Sequence, residues 1–279
     1  MSVLTQLIVW LNAAANSLAR VALAPLAAAP GWLSATVVGA VSGILMLLVF
    51  KYTSNQRAIK RVRSGLKAEL LTLKLFKESA AVAIRAQGRM LVGAGLLLLY
   101  AIVPILVMIV PVTLLFEQLT LWYEAQPLRP GEEAVVTLKL QSAAEAAWPE
   151  IYLQPNKAID VTIGPVRLLS KREVCWNVRA CENGYHHLVF HVDGRPAEKE
   201  LAIGQGFMRV SKQRPGWHWL DNLEHPWEQP FAPGSPVQSI DIDYPVRSSW
   251  ISGRYWWIYW FLVSMVAALC FRRVLNVNI

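Results

Sequence analysis

The 279-residue chain is 54% hydrophobic and only 16% charged, with a mean hydropathy of +0.35. Soluble domains carry about 25% charged residues, so this deficit argues against an ordinary water-soluble globule and points to lipid. The formal charge of +8 is concentrated: residues 51–89 hold ten Lys/Arg against Glu69 and Glu78, whereas 124–254 are slightly acidic. A basic block between two apolar runs reads as a topology signal. A nucleic-acid footprint would cluster on a folded domain, and no specific nucleic-acid partner is expected.

Residues 1–31 form the first segment. Leu4, Leu7, Ile8 and Leu11 recur at helical spacing, as do Leu18, Val21 and Ala22, with polar breaks at Thr5, Gln6, Asn12, Asn16 and Ser17. This pattern predicts an amphipathic helix lying in the membrane interface. A signal peptide cleaved near Ala27-Ala28-Ala29 is the competing reading, although residues 1–10 lack the positive charge such a peptide carries.

Residues 32–126 read as a membrane core. Trp32 to Phe50 contains no charge and ends at Lys51, close to the ~20 residues a spanning helix needs. In the basic segment 51–89, Ile59, Val62, Leu66, Leu70 and Leu73 share one helical stripe, with Arg57, Lys60, Arg61, Arg63, Lys67 and Lys74 around it. A seam close to a heptad suits a helical hairpin turning at Lys77-Glu78-Ser79; a single helix on an anionic membrane surface is the alternative. Met90 to Phe116 is again uncharged. It is read as one extended or tilted span in which Pro104 and Pro111 are tolerated kinks.

Residues 127–250 read as an all-β, sandwich-like domain. Ala134, Val136, Leu138 and Leu140 alternate with polar neighbours, as do Ile159, Val161 and Ile163, and His186, Leu188, Phe190 and Val192. Asp193-Gly194 and Asn183-Gly184 are hairpin signals. The stretch 212–236, rich in Pro, Gly and Trp, is expected to be an irregular loop. Cys175 and Cys181, six apart along one strand, would lie about 20 Å apart, too far for a disulfide. Residues 251–279 supply the third span and the C-terminus: Trp250, Tyr255, Trp256, Trp257, Tyr259 and Trp260 crowd its start as interfacial aromatics, and Arg272-Arg273 close it.

The positive-inside rule places 51–89 in the cytoplasm. The N-terminus and β domain are then extracytoplasmic, the C-terminus returns inside, and the chain is a multi-pass protein of the cytoplasmic membrane. No enzyme signature emerges. His187 and His191 share a strand face but would stand about 13 Å apart, too far to grip one ion directly. Asp241 and Asp243, beside Ser239, read as a solvated face. No catalytic residue, metal or cofactor is expected. In the spans, Ser34, Thr36, Gly39, Ser42, Gly43, Gly93, Gly95 and Ser264 are small or hydroxylated and contain no acid. Such residues allow close helix packing, or line a mildly polar groove. Lys51, Gln56, Arg57, Gln87 and Arg89 would stand at its cytoplasmic mouth, where topology and snorkelling are their ordinary roles.

The passage LMLLVFKYTSNQRAIKRVRSGLKAELLTLKLFKES, residues 45–79, carries a span followed by a basic helical hairpin. With the flanking spans it resembles the Oxa/YidC superfamily of membrane protein insertases, especially its three-span archaeal and endoplasmic-reticulum members. The likeness covers residues 32–116 and 255–273 and is architectural, without a short diagnostic motif. It implies a non-enzymatic insertase in which the hairpin, through Leu66, meets newly made hydrophobic segments. A groove past Ser42 and Ser264 then passes them to the bilayer. Partners on this reading are membrane lipids, nascent membrane proteins, and the ribosome or another membrane subunit. Unlike the bacterial members, the chain carries its β domain between the second and third spans. A membrane-anchored scaffold acting through an extracytoplasmic partner of the β domain is the competing function. Solute transport is disfavoured by three spans without intramembrane charge.

Overall fold

The computed structural model describes residues 2–23, 29–75, 80–141, 148–249 and 251–277. The chain is mixed: helices including two long apolar ones, plus antiparallel β-sheets. It divides into two compact units, one formed by residues 1–34 and 114–256 and the other by 35–113 and 257–279.

Among the described residues, the first unit holds α1 (Ser2–Ala22), α5 (Trp219–Glu224) and eight strands. These are β1 (Glu133–Leu140), β2 (Ile151–Leu153), β3 (Ile159–Leu168), β4 (Glu173–Ala180), β5 (Gly184–Val192), β6 (Arg195–Ile203), β7 (Gln213–Arg214) and β8 (Val237–Ile242). A five-stranded sheet runs β3-β4-β1-β8-β7 and a three-stranded sheet runs β2-β5-β6. Period-two patterning does the work expected of it in β1, where Ala134, Val136, Leu138 and Leu140 are all buried. They join Val174, Trp176 and Val178 of β4 and Leu188, Phe190 and Val192 of β5 in one core fed by both sheets. Asp193 and Gly194 take positive φ and close the β5–β6 hairpin.

Three expectations for this unit need correction. Val161 and Ile163 are exposed, although Ile159 beside them is buried. They lie on an edge strand whose register against β4 shifts twice between Val161 and Val166, so period two does not persist along β3. Asn183-Gly184 is not a hairpin turn: it carries the chain from β4 in one sheet to β5 in the other. The stretch 212–236 is not wholly irregular, since it contains β7 and α5. Cys181 lies just beyond β4, and both it and Cys175 are free thiols.

The second unit contains most of α2 (Gly31–Thr53), α3 (Gln56–Leu75), α4 (Ala80–Tyr123) and α6 (Trp256–Phe271). Gly31–Thr53 and Ile84–Tyr123 are long and apolar enough to cross a membrane. Helix α6 is apolar but has 16 residues, shorter than either. Helices α3 and α4 are separate elements, as a hairpin requires; the turn expected at Lys77-Glu78-Ser79 lies outside the described residues, as do Ala27 and Ala28.

Candidate functional site

In the helical unit, the small residues of α2 decide how closely α6 can approach. A Cβ added to Gly43 would lie 2.2 Å from the Ser264 carbonyl oxygen, so only glycine fits there. Ser42, 3% exposed, donates to the Gly39 carbonyl at 2.9 Å and accepts from Trp260 Nε1 at 3.0 Å. Ser264, 4% exposed, donates to the Phe261 carbonyl. Thr36 and Tyr259 share a hydroxyl–hydroxyl bond of 2.7 Å. Because 36 meets 259 and 43 meets 264, the two helices run in the same direction. Ser42 and Ser264 therefore meet in a close helix–helix seam with their hydroxyls bonded inside it.

The hairpin residues form a second cluster. Leu66 of α3 lies over Gly93 of α4, and Arg89 NH1 bonds Glu69 Oε1 at 3.1 Å. A later residue of α3 meets an earlier one of α4, so these two helices are antiparallel. Ile59 and Ala86 are buried, while Leu70 on the same α3 stripe is exposed. Lys51 ends α2 with its ammonium 5.9 Å from the Tyr52 ring centroid. Gln56 opens α3 and bonds Ser54, Arg57 beside it is exposed, and Gln87 is exposed about two turns into α4. The predicted site residues thus lie in three places: Ser42 and Ser264 along the α2–α6 seam, Leu66 with Arg89 and Gln87 on the hairpin helices, and Lys51 with Gln56 and Arg57 at the α2–α3 corner.

In the β-containing unit, the start of α2, the end of α4 and the start of α6 converge. Tyr123 donates to Ser34 Oγ at 3.1 Å, and its carbonyl accepts from Gly253 N at 2.7 Å. Its ring lies 5.9 Å from Trp256 and 5.2 Å from Phe207. Phe116 adds a contact of 4.8 Å to Trp256. Arg247 lies 4.9 Å from the Phe207 centroid and donates to the Met208 carbonyl; burial pushes its pKa down.

Sequence reasoning missed the most enclosed polar cluster. Lys199 is 0% exposed. Its Nζ bonds the Glu228 carboxylate and donates to the Ser211 carbonyl at 2.7 Å. Ser211 donates to Glu228 Oε1 at 2.6 Å, and Glu228 Oε2 accepts from Glu200 N at 3.0 Å. Burial pushes the Lys199 pKa down, and the Glu228 charge opposes the shift. Next to it, Arg209 forks onto both Glu200 carboxylate oxygens at 2.8 and 3.0 Å, with its guanidinium 3.3 Å from the Trp227 centroid. The available signal was parity: Lys199 shares a strand face with Ala197, Leu201 and Ile203, all buried. A charge on a core face needs a partner. The enclosure of both Lys199 and Ser211 fits a clamp between β6 and the segment leading to Glu228 better than a reaction site.

Among the described residues no group of three His, Cys, Asp or Glu is placed to hold a metal ion. His191 instead stacks on Tyr152 at 4.8 Å and His186 bonds the Glu182 carbonyl. Asp241 pairs with Lys139 at 2.9 Å. No family model, no curated protein and no solved structure matches the chain.

Proposed function

We propose that this chain is a non-enzymatic membrane insertion factor of the Oxa/YidC type. It spans the cytoplasmic membrane three times, with a cytoplasmic α3–α4 hairpin and a sandwich-like extracytoplasmic β domain. The observation that carries this reading is the unequal cover of the apolar helices. In the most apolar window of α2, 33% of residues are buried; in that of α4 only 6% are. Helices α2 and α6 run together through a glycine–serine seam, whereas α4 leaves its apolar flank open. That is the asymmetry a laterally open groove needs and a closed bundle lacks.

The helix directions support the proposed topology. Helices α2 and α6 would cross outside to inside, and α4, returning from the basic hairpin, would cross back. At ~1.5 Å per residue, the 16 residues of α6 span about 24 Å. This falls short of the ~30 Å hydrocarbon core, and a short span is accommodated by thinning the bilayer around it. On this reading the exposed Leu70, Leu71 and Leu75 of α3 meet a newly made hydrophobic segment. The bilayer thinned around α6 then admits it, driven by burial of apolar area at about 25 cal/mol per Å².

A second reading, a scaffold acting through the β domain, is favoured by one observation. Val161, Ile163, Val166 and Leu169, on and just after the edge strand β3, are all exposed. Photo-crosslinking separates the two. Probes at Leu98 and Leu70, both exposed, should capture short-lived nascent membrane segments during synthesis. If they capture none while a probe at Ile163 captures one stable protein, the insertion reading is overturned. Orientation has a native reporter: the exposed thiol of Cys181 should react with an impermeant maleimide in intact cells, and Ser64→Cys should not.

A further inference from the structure

The N-terminal helix is amphipathic in an unusual sense: its polar face is the docked one. Asn12 Nδ2 donates to the Asn222 carbonyl at 2.6 Å, and Asn16 Nδ2 to the Pro226 carbonyl at 2.9 Å. Gln118 Nε2 donates to Asn16 Oδ1 at 2.6 Å. Thr5, Ile8 and Asn12 are buried on that face. The opposite face presents Val3, Leu7, Trp10, Leu18 and Val21 outward, with Trp10 70% exposed. Where this face meets Trp217 and Pro233 it forms an open groove of about 640 Å³, lined otherwise by Val3, Gln6, Leu7 and Trp10. Gln6 and Trp217 also line a second cavity of about 290 Å³, of mixed lining, shared with the amides of Asn12, Asn16 and Asn222 and with the Glu228 carboxylate. Two buried polar atoms here, Asn12 Oδ1 and Trp217 Nε1, have no protein partner.

We infer that this groove takes an acyl chain of an outer-leaflet phospholipid, with the ester and headgroup region toward the amide-lined cavity. The inference rests on the membrane-spanning reading above. Three observations select a lipid over a protein. Residues 1–29 contain no acidic side chain and one basic one, Arg20, so nothing on α1 repels a bilayer surface and little would orient a protein partner. Helix α1 ends at Ala22 and the candidate span α2 begins at Gly31. The eight residues between them keep α1 within about 30 Å of the point at which α2 begins. The strongly apolar groove abuts, through the shared Gln6 and Trp217, a cavity richer in amide groups, the sequence of surfaces an amphiphile presents. A Trp with an apolar body and an unpartnered N–H suits that boundary.

The test uses the full chain in vesicles of phosphatidylcholine and phosphatidylglycerol doped with a phosphatidylcholine bearing a photoactivatable acyl chain. Adducts are mapped by mass spectrometry. Labelling is expected on residues 3–10, on the segment holding Trp217 and Pro233, and on α4. Leu7→Gln, at an exposed position, should reduce labelling of the Trp217 segment at least fivefold, leaving α4 labelling and the near-ultraviolet circular dichroism unchanged. Labelled α4 with an unlabelled Trp217 segment overturns the lipid groove and leaves the membrane reading standing. Absence of label on both α4 and α1 overturns the two together. Efficient disulfide dimerisation of Leu7→Cys in the vesicles would assign the face to a second copy of the chain and also overturn the proposal.

Discussion

The two units solve the same problem, covering apolar side chains, with different means. In the β domain, Val136, Leu138, Val174, Leu188 and Phe190 are fully enclosed by protein. In the helical unit Leu98, Leu99 and Leu106 of α4 are as apolar and remain exposed. The hydrophobic effect prices both alike in water; what differs is the cover, the chain's own second sheet in one case and, on the reading proposed here, lipid in the other. Stability of the β domain should therefore respond to side-chain deletions that leave the helices almost indifferent.

The largest effect is expected at Lys199. Replacing it by Met strands the Glu228 carboxylate, and breaking a buried pair from one side costs about 3–5 kcal/mol. Thermal unfolding of the full chain in detergent should show it, and Lys199→Met with Glu228→Leu should recover most of the loss. An equal loss in the double variant would mean that the pair is not the unit that matters. Next comes the α2–α6 seam. Gly43→Val places a methyl group against the Ser264 backbone, and overpacking of this kind costs about 1–3 kcal/mol. Distances between spin labels on α2 and α6 should lengthen while the β-domain transition stays put. Asn12→Ala removes one buried hydrogen bond to a backbone carbonyl. It should cost about 1 kcal/mol and expose the α1–α2 connection to proteolysis. The smallest effect is expected for Leu98→Ala on bare α4: under about 0.5 kcal/mol in detergent. A loss comparable to the ~3–5 kcal/mol of a core Phe190→Ala would show that α4 is covered after all and would erase the contrast.

What could be read in advance followed from local pattern. The uncharged runs of α2 and α4, the alternation in β1 and the Asp193-Gly194 turn each need only neighbours in sequence to be recognised. What escaped reading depends on distant partners. Asn12 and Asn16 looked like interruptions in an apolar helix because their acceptors lie some 210 residues away. Lys199 falls on the apolar face of β6, but its partner Glu228 lies 29 residues away in sequence. Ser42 and Ser264 fitted either close helix packing or a polar groove, and the approach of α2 to α6 depends on pairs such as Gly43 with Ser264 and Ser42 with Trp260, more than 200 residues apart in sequence. Val161 and Ile163 carry a core-like pattern, yet β3 lies at the edge of its sheet and its register slips there.

Helix α4 also has a mechanical consequence. Its 44 residues make a rod about 66 Å long, more than twice the ~30 Å hydrocarbon thickness. Its residues up to Thr113 belong to the helical unit and those from Leu114 to Tyr123 to the β-containing unit. Pro104 and Pro111 each remove a hydrogen bond from this helix, at points about 10 Å apart along the axis. Both prolines fall in the part of α4 that belongs to the helical unit, so the helix bends most easily within that unit.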